Sequence, residues 1–167
     1  MNALFQTKRL FVRALRITDL ENFKKLLDHP KVKKFTNGNG IKLEEGETDF
    51  SKLLTLSRAK NKEFKVWAII HHDTKEFIGT CAVIKNTCNE HEIGYRLFED
   101  YWHQGFGHEI TKALIDFCRM ELELNNITAY VDSKNLASIR VLGKSQLSFT
   151  KEIYNNTSNT IDYVYSL

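Results

Sequence analysis

The chain has 167 residues, 42% of them hydrophobic and 11% aromatic, with 24 Lys and Arg against 21 Asp and Glu for a formal net charge of +3. That near-average composition excludes disordered, collagen-like and disulfide-scaffold classes, and the length suits one domain over residues 1–167. Charges of both signs are interspersed and do not call for nucleic acid, no apolar run approaches the ~20 residues of a membrane span, and the N-terminus lacks a signal-peptide core.

Residues 8–15 carry enough β-branched and aromatic side chains to predict a strand, so MNALFQTKRLFVRAL reads as one opening strand. Thr18 and Asp19 supply helix-cap chemistry for a repeat at Leu20, Phe23 and Leu27, which stops at His29-Pro30. Asn37-Gly38-Asn39-Gly40 reads as a loop, and Phe50, Leu53, Leu54 and Ser57 line a helix that begins near Leu43. Apolar runs at 66–70 and 77–84 flank the turn-like His72-Asp73-Thr74-Lys75 and predict a hairpin. From 91 to 98 the pattern alternates, with Ile93, Tyr95 and Leu97 on one face and Glu92, Gly94 and Arg96 on the other. A glycine-bearing loop at 103–107 precedes a helix with the stripe Ile110, Ala113, Leu114 and Phe117. A strand at 127–132, a short helix at 135–144, and two closing strands at 147–154 and 160–166 complete the chain. This order predicts an α/β fold of the mixed α+β kind, a mixed sheet with helices packed on it. Cys81, Cys88 and Cys118 are odd in number and lack Cys-x-x-Cys spacing, which fits free thiols in a reducing cytoplasm.

Two segments carry possible chemistry. Tyr101-Trp102-His103-Gln104-Gly105-Phe106-Gly107-His108-Glu109 joins a strand to a helix. Its two glycines let backbone N–H groups share one concavity at a helix N-terminus, which suits phosphate or pyrophosphate. A tight turn that binds nothing uses glycine in the same way. Asp132 to Leu142 ends a strand and opens a helix, with Asn135 placed as cap and Ser138 one turn along.

Taken together the motifs resemble the GCN5-related N-acetyltransferase (GNAT) superfamily, in its RimJ/RimL-like branch. Thr7-Lys8-Arg9-Leu10-Phe11-Val12-Arg13 is similar to that branch's opening T-x-R-L-x-L-R strand. Phe77-Ile78-Gly79-Thr80 and Glu92-Ile93-Gly94-Tyr95 resemble its third and fourth strands. The 101–109 segment resembles its Y-W-G-K-G-Y-A-T-E pyrophosphate loop, and 135–142 its N-x-A-S-I-R-V-L helix. Tyr163 to Leu167 is similar to the closing strand. The departures are His103 where glycine is common and Gln146 where a glycine usually ends the helix.

The resemblance implies a GNAT fold: a mostly antiparallel mixed sheet with a splayed parallel pair and flanking helices. It also implies acetyl-CoA as acyl donor and no metal. The loop His103, Gln104, Gly105, Phe106, Gly107 and His108 would hold the pyrophosphate. The amides of Arg96, Leu97 and Phe98 would pair with pantetheine, and Asn135 and Ser138 would lie beside it. Glu92, on the polar strand face, is the candidate base, and Ser138 the candidate proton donor, with Tyr130 and Tyr95 as further options. An ion-paired strand carboxylate and a capping hydroxyl are the structural alternatives for Glu92 and Ser138. The acceptor side would involve residues 18–60 and 150–163, where Asp28, Glu44, Glu45, Glu47, Asp49 and Asp162 suit a cationic amine. The expected partner is a small-molecule or peptide amine, not nucleic acid or membrane, for a monomer or homodimer. A non-catalytic acyl-CoA-binding domain is the rival reading.

Overall fold

The computed structural model describes residues 3–35, 47–60 and 62–167. The opening segment folds as two strands, not one. β1 (Phe5–Gln6) runs antiparallel to β2 (Leu10–Ala14), with Phe5 opposite Val12. Thr7 makes the corner: its N–H donates to Leu10 O (2.8 Å) and its Oγ1 accepts from Leu10 N (3.0 Å). A side-chain bond of this local kind competes with strand continuation.

Next come α1 (Leu20–Asp28), α2 (Pro30–Lys33) and α3 (Glu47–Arg58). Pro30 opens α2, where its missing N–H has no helical partner to lose. The expected loop at Asn37–Gly40 and the helix start near Leu43 lie outside the described residues. Asp19 does not cap α1 with its side chain. Its carboxylate turns back to β2 and takes Arg13 Nη1 and Nη2 at 2.7 and 2.8 Å, with both residues buried.

β3 (Phe64–His71), β4 (Phe77–Lys85) and β5 (His91–Leu97) form an antiparallel meander. The long helix α4 (Phe106–Met120) then crosses over to β6 (Ile127–Asp132), which lies parallel to β5. After α5 (Leu136–Leu142), β7 (Ser148–Asn155) and β8 (Thr160–Ser166) close the chain. The described strands form one sheet in the order β1-β2-β3-β4-β5-β6-β8-β7. Its single parallel pair is confined to His91 with Ile127 and Glu92 with Thr128, after which β5 and β6 part.

Strand alternation sorts the core into two layers. Leu10, Val12, Trp67, Ile69 and Ile93 face α4 and pack on Ile110, Leu114, Ile115 and Cys118. Phe11, Val66, Ala68 and Ile70 face the other way, onto Phe23 of α1 and Phe50, Leu53 and Leu54 of α3. The buried stripe of α4 is rotated slightly from the expected one. Phe117 sits at its edge, stacked on Phe5 at 4.7 Å, while Cys118 takes the fully buried place. Gln146, where a glycine was expected, bridges to α4: its Nε2 donates to Asp116 Oδ1 (2.6 Å) and its Oε1 accepts from Arg119 (3.2 Å).

The Arg13–Asp19 pair yields a stability prediction. Asp19→Ala leaves a buried guanidinium without its carboxylate and should cost about 3–5 kcal/mol in urea unfolding. Replacing both residues by apolar ones of similar volume should cost clearly less. A double variant as unstable as Asp19→Ala would show that an unpaired buried charge is not what makes Asp19→Ala costly.

Candidate active site

Where β5 and β6 part, the gap opens into a cavity of about 480 Å³. Gly94, Tyr95, Arg96 and Leu97 of β5 form one wall, Tyr130 to Asp132 of β6 another, and Ser138 of α5 and the 103–108 loop the ends. That volume is in the range of small-ligand sites. The expected loop residues divide: His103, Gly105, Gly107 and His108 line the cavity, while Phe106 is buried in the core beside it. Gln104 turns outward, its Nε2 donating to Asp100 O at 2.6 Å.

The backbone edge differs from expectation. Phe98 N donates to Ile78 O of β4 (3.0 Å), so its amide is already engaged in the sheet. Because donors alternate along an antiparallel strand, the amide of Arg96 faces β4 as well. The backbone groups aimed into the gap therefore belong to Tyr95 and Leu97. Leu97 O accepts from Trp102 Nε1 at 2.8 Å, which leaves its N–H on the open side.

The loop owes its shape to two left-handed residues, His103 at φ 59° and Gly105 at φ 81°. A Cβ on Gly105 would meet only Arg9 Nη2, at 3.5 Å, so glycine is needed there for backbone conformation. Gly107 answers a different need. A Cβ there would lie 2.5 Å from the Tyr95 hydroxyl oxygen, which packs against the start of α4. No side chain caps the first turn of α4, so its leading N–H groups stay open at the positive end of the helix dipole.

A strap that the sequence motifs contained but did not explain fixes this loop. Arg9 Nε donates to Glu109 Oε2 (2.7 Å), Arg9 N to Glu109 Oε1 (2.9 Å), and Arg9 Nη1 to Gln104 O (2.9 Å). The guanidinium lies 4.0 Å over the Phe106 ring. Burial raises the Glu109 carboxyl, but bonds from Thr7 and Arg9 and the Arg9 charge outweigh it and hold it below its usual value. Only the topology brings residues 9 and 109 together, so no local pattern signals the contact.

Glu92 occupies the closed end of the splay, the last residue paired with β6, and does not itself line the cavity. Burial, with added repulsion from Asp162 and Glu90, raises its carboxyl to about 7. Glu90 behaves oppositely: bonds from Asn86 Nδ2 (3.0 Å) and the Tyr130 hydroxyl (2.7 Å) hold it low. Burial and that bond to Glu90 push the Tyr130 hydroxyl up. Asp162 is buried and accepts from Asn155 Nδ2 (2.7 Å). In register with Glu92, the Thr128 hydroxyl is buried with no hydrogen-bond partner.

On the α5 side, Asn135 caps the helix as expected, its Oδ1 accepting from Ser138 N at 3.1 Å. Burial raises the Tyr95 hydroxyl, and its hydrogen bond with the Ser138 side chain works against that shift. Tyr95 and Ser138 both line the cavity. Of the acidic residues expected near an acceptor, Asp162 reaches this region, Asp28 is exposed on α1, and Glu44 and Glu45 lie outside the described residues. Among the described residues no group of His, Cys, Asp and Glu could hold a metal ion, and no helix is long and apolar enough to cross a membrane.

Comparison with known proteins places this geometry in context. Residues 9–148 match the model of the acetyltransferase (GNAT) domain. An uncharacterized N-acetyltransferase, p20 of Bacillus licheniformis, is 32% identical over 151 residues, covering 87% of this chain and 82% of that protein. A GNAT-family acetyltransferase structure from Bacillus anthracis superposes with a TM-score of 0.80 at 20% identity, over 97% of this chain and 96% of that one. RimL, a ribosomal L7/L12 alpha-N-protein acetyltransferase solved with coenzyme A, superposes at 0.82 with 16% identity, over 99% and 97%.

The raised Glu92 carboxyl has a stability consequence of definite sign. Its folded value, about 7, exceeds its ordinary 4.5, so the folded state loses stability as pH rises between those values and stays lower above them. Glu92→Gln does not ionise. Its melting temperature relative to the parent should therefore be higher at pH 8 than at pH 4.5, read by thermal unfolding at both. A difference independent of pH would mean that Glu92 is not desolvated in the folded protein.

Proposed function

The chain belongs to the acetyltransferase (GNAT) family, and we propose that it moves an acetyl group from acetyl-CoA to a primary amine by direct attack in a ternary complex. In this reading residues 1–167 act as one N-acetyltransferase domain in the cytoplasm. The observation that carries the proposal is the splay itself. An open backbone edge at Tyr95 and Leu97 and an uncapped helix start meet around one cavity, with a desolvated carboxylate at the closed end of the splay.

The residues present fit coenzyme A. The left-handed Gly105 and the open first turn of α4 form a concavity of N–H donors suited to pyrophosphate, with His103, Gln104 and His108 around it. The Leu97 N–H is free to receive a pantetheine amide as a further strand would, with Asn135 and Ser138 across the gap. When bound, acetyl-CoA supplies an activated thioester carbonyl. The chain's own part is proton handling. Glu92, with a carboxyl near 7, takes a proton from the amine directly or through a water held between it and the Thr128 hydroxyl. Ser138, with Tyr95 beside it on the cavity wall, returns a proton to the leaving sulfur. An α-amine titrates near about 8 and lysine near about 10.4, so a peptide N-terminus or amino acid is the easier acceptor. The α-N-protein activity named for the RimL relative supports that direction.

Two measurements test the reading. Gly105→Val forces a branched side chain into a left-handed backbone and should weaken coenzyme A binding about ten-fold or more, read by calorimetry, with the circular dichroism spectrum unchanged. Parental affinity would remove the loop from the binding site. Glu92→Gln should lower acetyl transfer about 100- to 10,000-fold at neutral pH with coenzyme A affinity unchanged. The parental rate should rise with pH through about 7 as the carboxyl ionises, and the variant should lack that limb, in free-thiol release assays. A near-parental rate would exclude Glu92 as base.

A further inference from the structure

Among the described residues, the Lys and Arg side chains that line the cavity are Lys31, Arg96 and Arg140. Lys31 is ion-paired with Glu99, and Arg140 is exposed at the rim. Arg96 is different. It is partly buried, and its side chain makes no hydrogen bond or ion pair with any described residue; burial alone acts on it, pulling its guanidinium below its ordinary value. Since its amide faces β4, its side chain is what it offers the cavity. A desolvated guanidinium without a counter-charge is unfavourable unless an anion meets it.

Its surroundings indicate where such an anion would sit. Glu92, Gly94 and Arg96 share one face of β5, opposite Ile84, Ala82 and Thr80 of β4. Between the acid and the base, Gly94 is exposed, and a Cβ there would meet nothing within 4 Å. The strand therefore presents a carboxylate, an empty step and a cation in a row, with Cα atoms at the two ends about 13 Å apart. Asp162 and Glu90 both act on Glu92, and Asp132 of β6, across the gap, lines the cavity as well. An anion carried into the cavity meets its uncompensated cation at Arg96, on the same strand face as Glu92.

We infer that Arg96 binds a carboxylate carried by the amine acceptor itself, so that the substrate class is amino acids and not simple amines or polyamines. The identity of the amine end rests on the acetyl-transfer reading above; the anion site rests on Arg96 alone. A planar guanidinium takes a carboxylate through two parallel bonds, which lysine cannot reproduce.

The test uses matched pairs: glycine, L-alanine, β-alanine, 4-aminobutyrate, L-methionine and L-phenylalanine, each against its primary amide. Binding of each to the protein saturated with coenzyme A is measured by calorimetry, so the readout does not require turnover. At least one acid should bind about ten-fold or more tightly than its amide. Arg96→Met should erase that preference and Arg96→Lys restore it only in part. The inference is overturned if no acid is preferred over its amide, or if the preference survives in Arg96→Met. The parental comparison needs no variant and stands even if Arg96→Met fails to fold. Free-thiol release from acetyl-CoA is measured separately. Acids that bind through Arg96 without releasing thiol would uphold the anion site and sink the acetyl-transfer reading, whereas thiol release favouring the amides would do the reverse.

Discussion

The site depends on how briefly β5 and β6 are paired. Each strand is held firmly on its outer side, β5 by β4 along its whole length and β6 by β8. The two meet only at His91–Ile127 and Glu92–Thr128. Beyond that point strand twist carries them apart, and the backbone groups on their inner edges lose their ladder partners. A sheet interior that exposes its own edge is normally unfavourable. Here the exposed edge becomes one wall of the cavity, and α4 and α5 close the remainder. The cavity, its open N–H groups and the desolvation of Glu92 follow from that one divergence.

The Arg9–Glu109 strap makes the loop usable. An acidic residue in the first turn of a helix is favourable toward the dipole, yet it would also repel an anionic ligand arriving there. Arg9 neutralises Glu109 and at the same time ties Gln104 O to the first hairpin. The start of α4 thereby keeps the field of its free N–H groups without a competing local charge. Phe106, beneath the guanidinium and buried in the core, fixes the height of the loop over the sheet. His103 adopts a left-handed φ that glycine would adopt without strain.

Much of this was legible in the chain, and the exceptions have physical reasons. Apolar periodicity located β3 to β6 within a residue or two and placed α4 after the glycine-bearing loop, because burial on one or both faces imposes it. Asn135 read correctly as a cap, since capping is local. The opening strand broke because Thr7 bonds its own backbone, a preference too weak to override a hydrophobic run on paper. Asp19 left its cap for Arg13, since a buried guanidinium competes better for a carboxylate than a helix amide does. The amides of Arg96 and Phe98 turned toward β4, because which way a strand's donors face depends on its neighbour's register, which sequence does not carry. For the same reason the contact between Gly107 and the Tyr95 hydroxyl stayed hidden.

Glu90 and Asp162 both act on Glu92 at the closed end of the splay, and the different partners of the three carboxylates set their charge states. Glu90 is committed: the Tyr130 hydroxyl and Asn86 amide stabilise its charge, and a base so stabilised is weak near neutral pH. Asp162 is held by Asn155 two strands from the opening. Glu92 lacks such donors, so burial and the two neighbouring charges act on it without compensation. The hydrogen bonds that fix Glu90 as an anion thus help to raise Glu92, and the stability surrendered there is what holds the Glu92 carboxyl near neutrality.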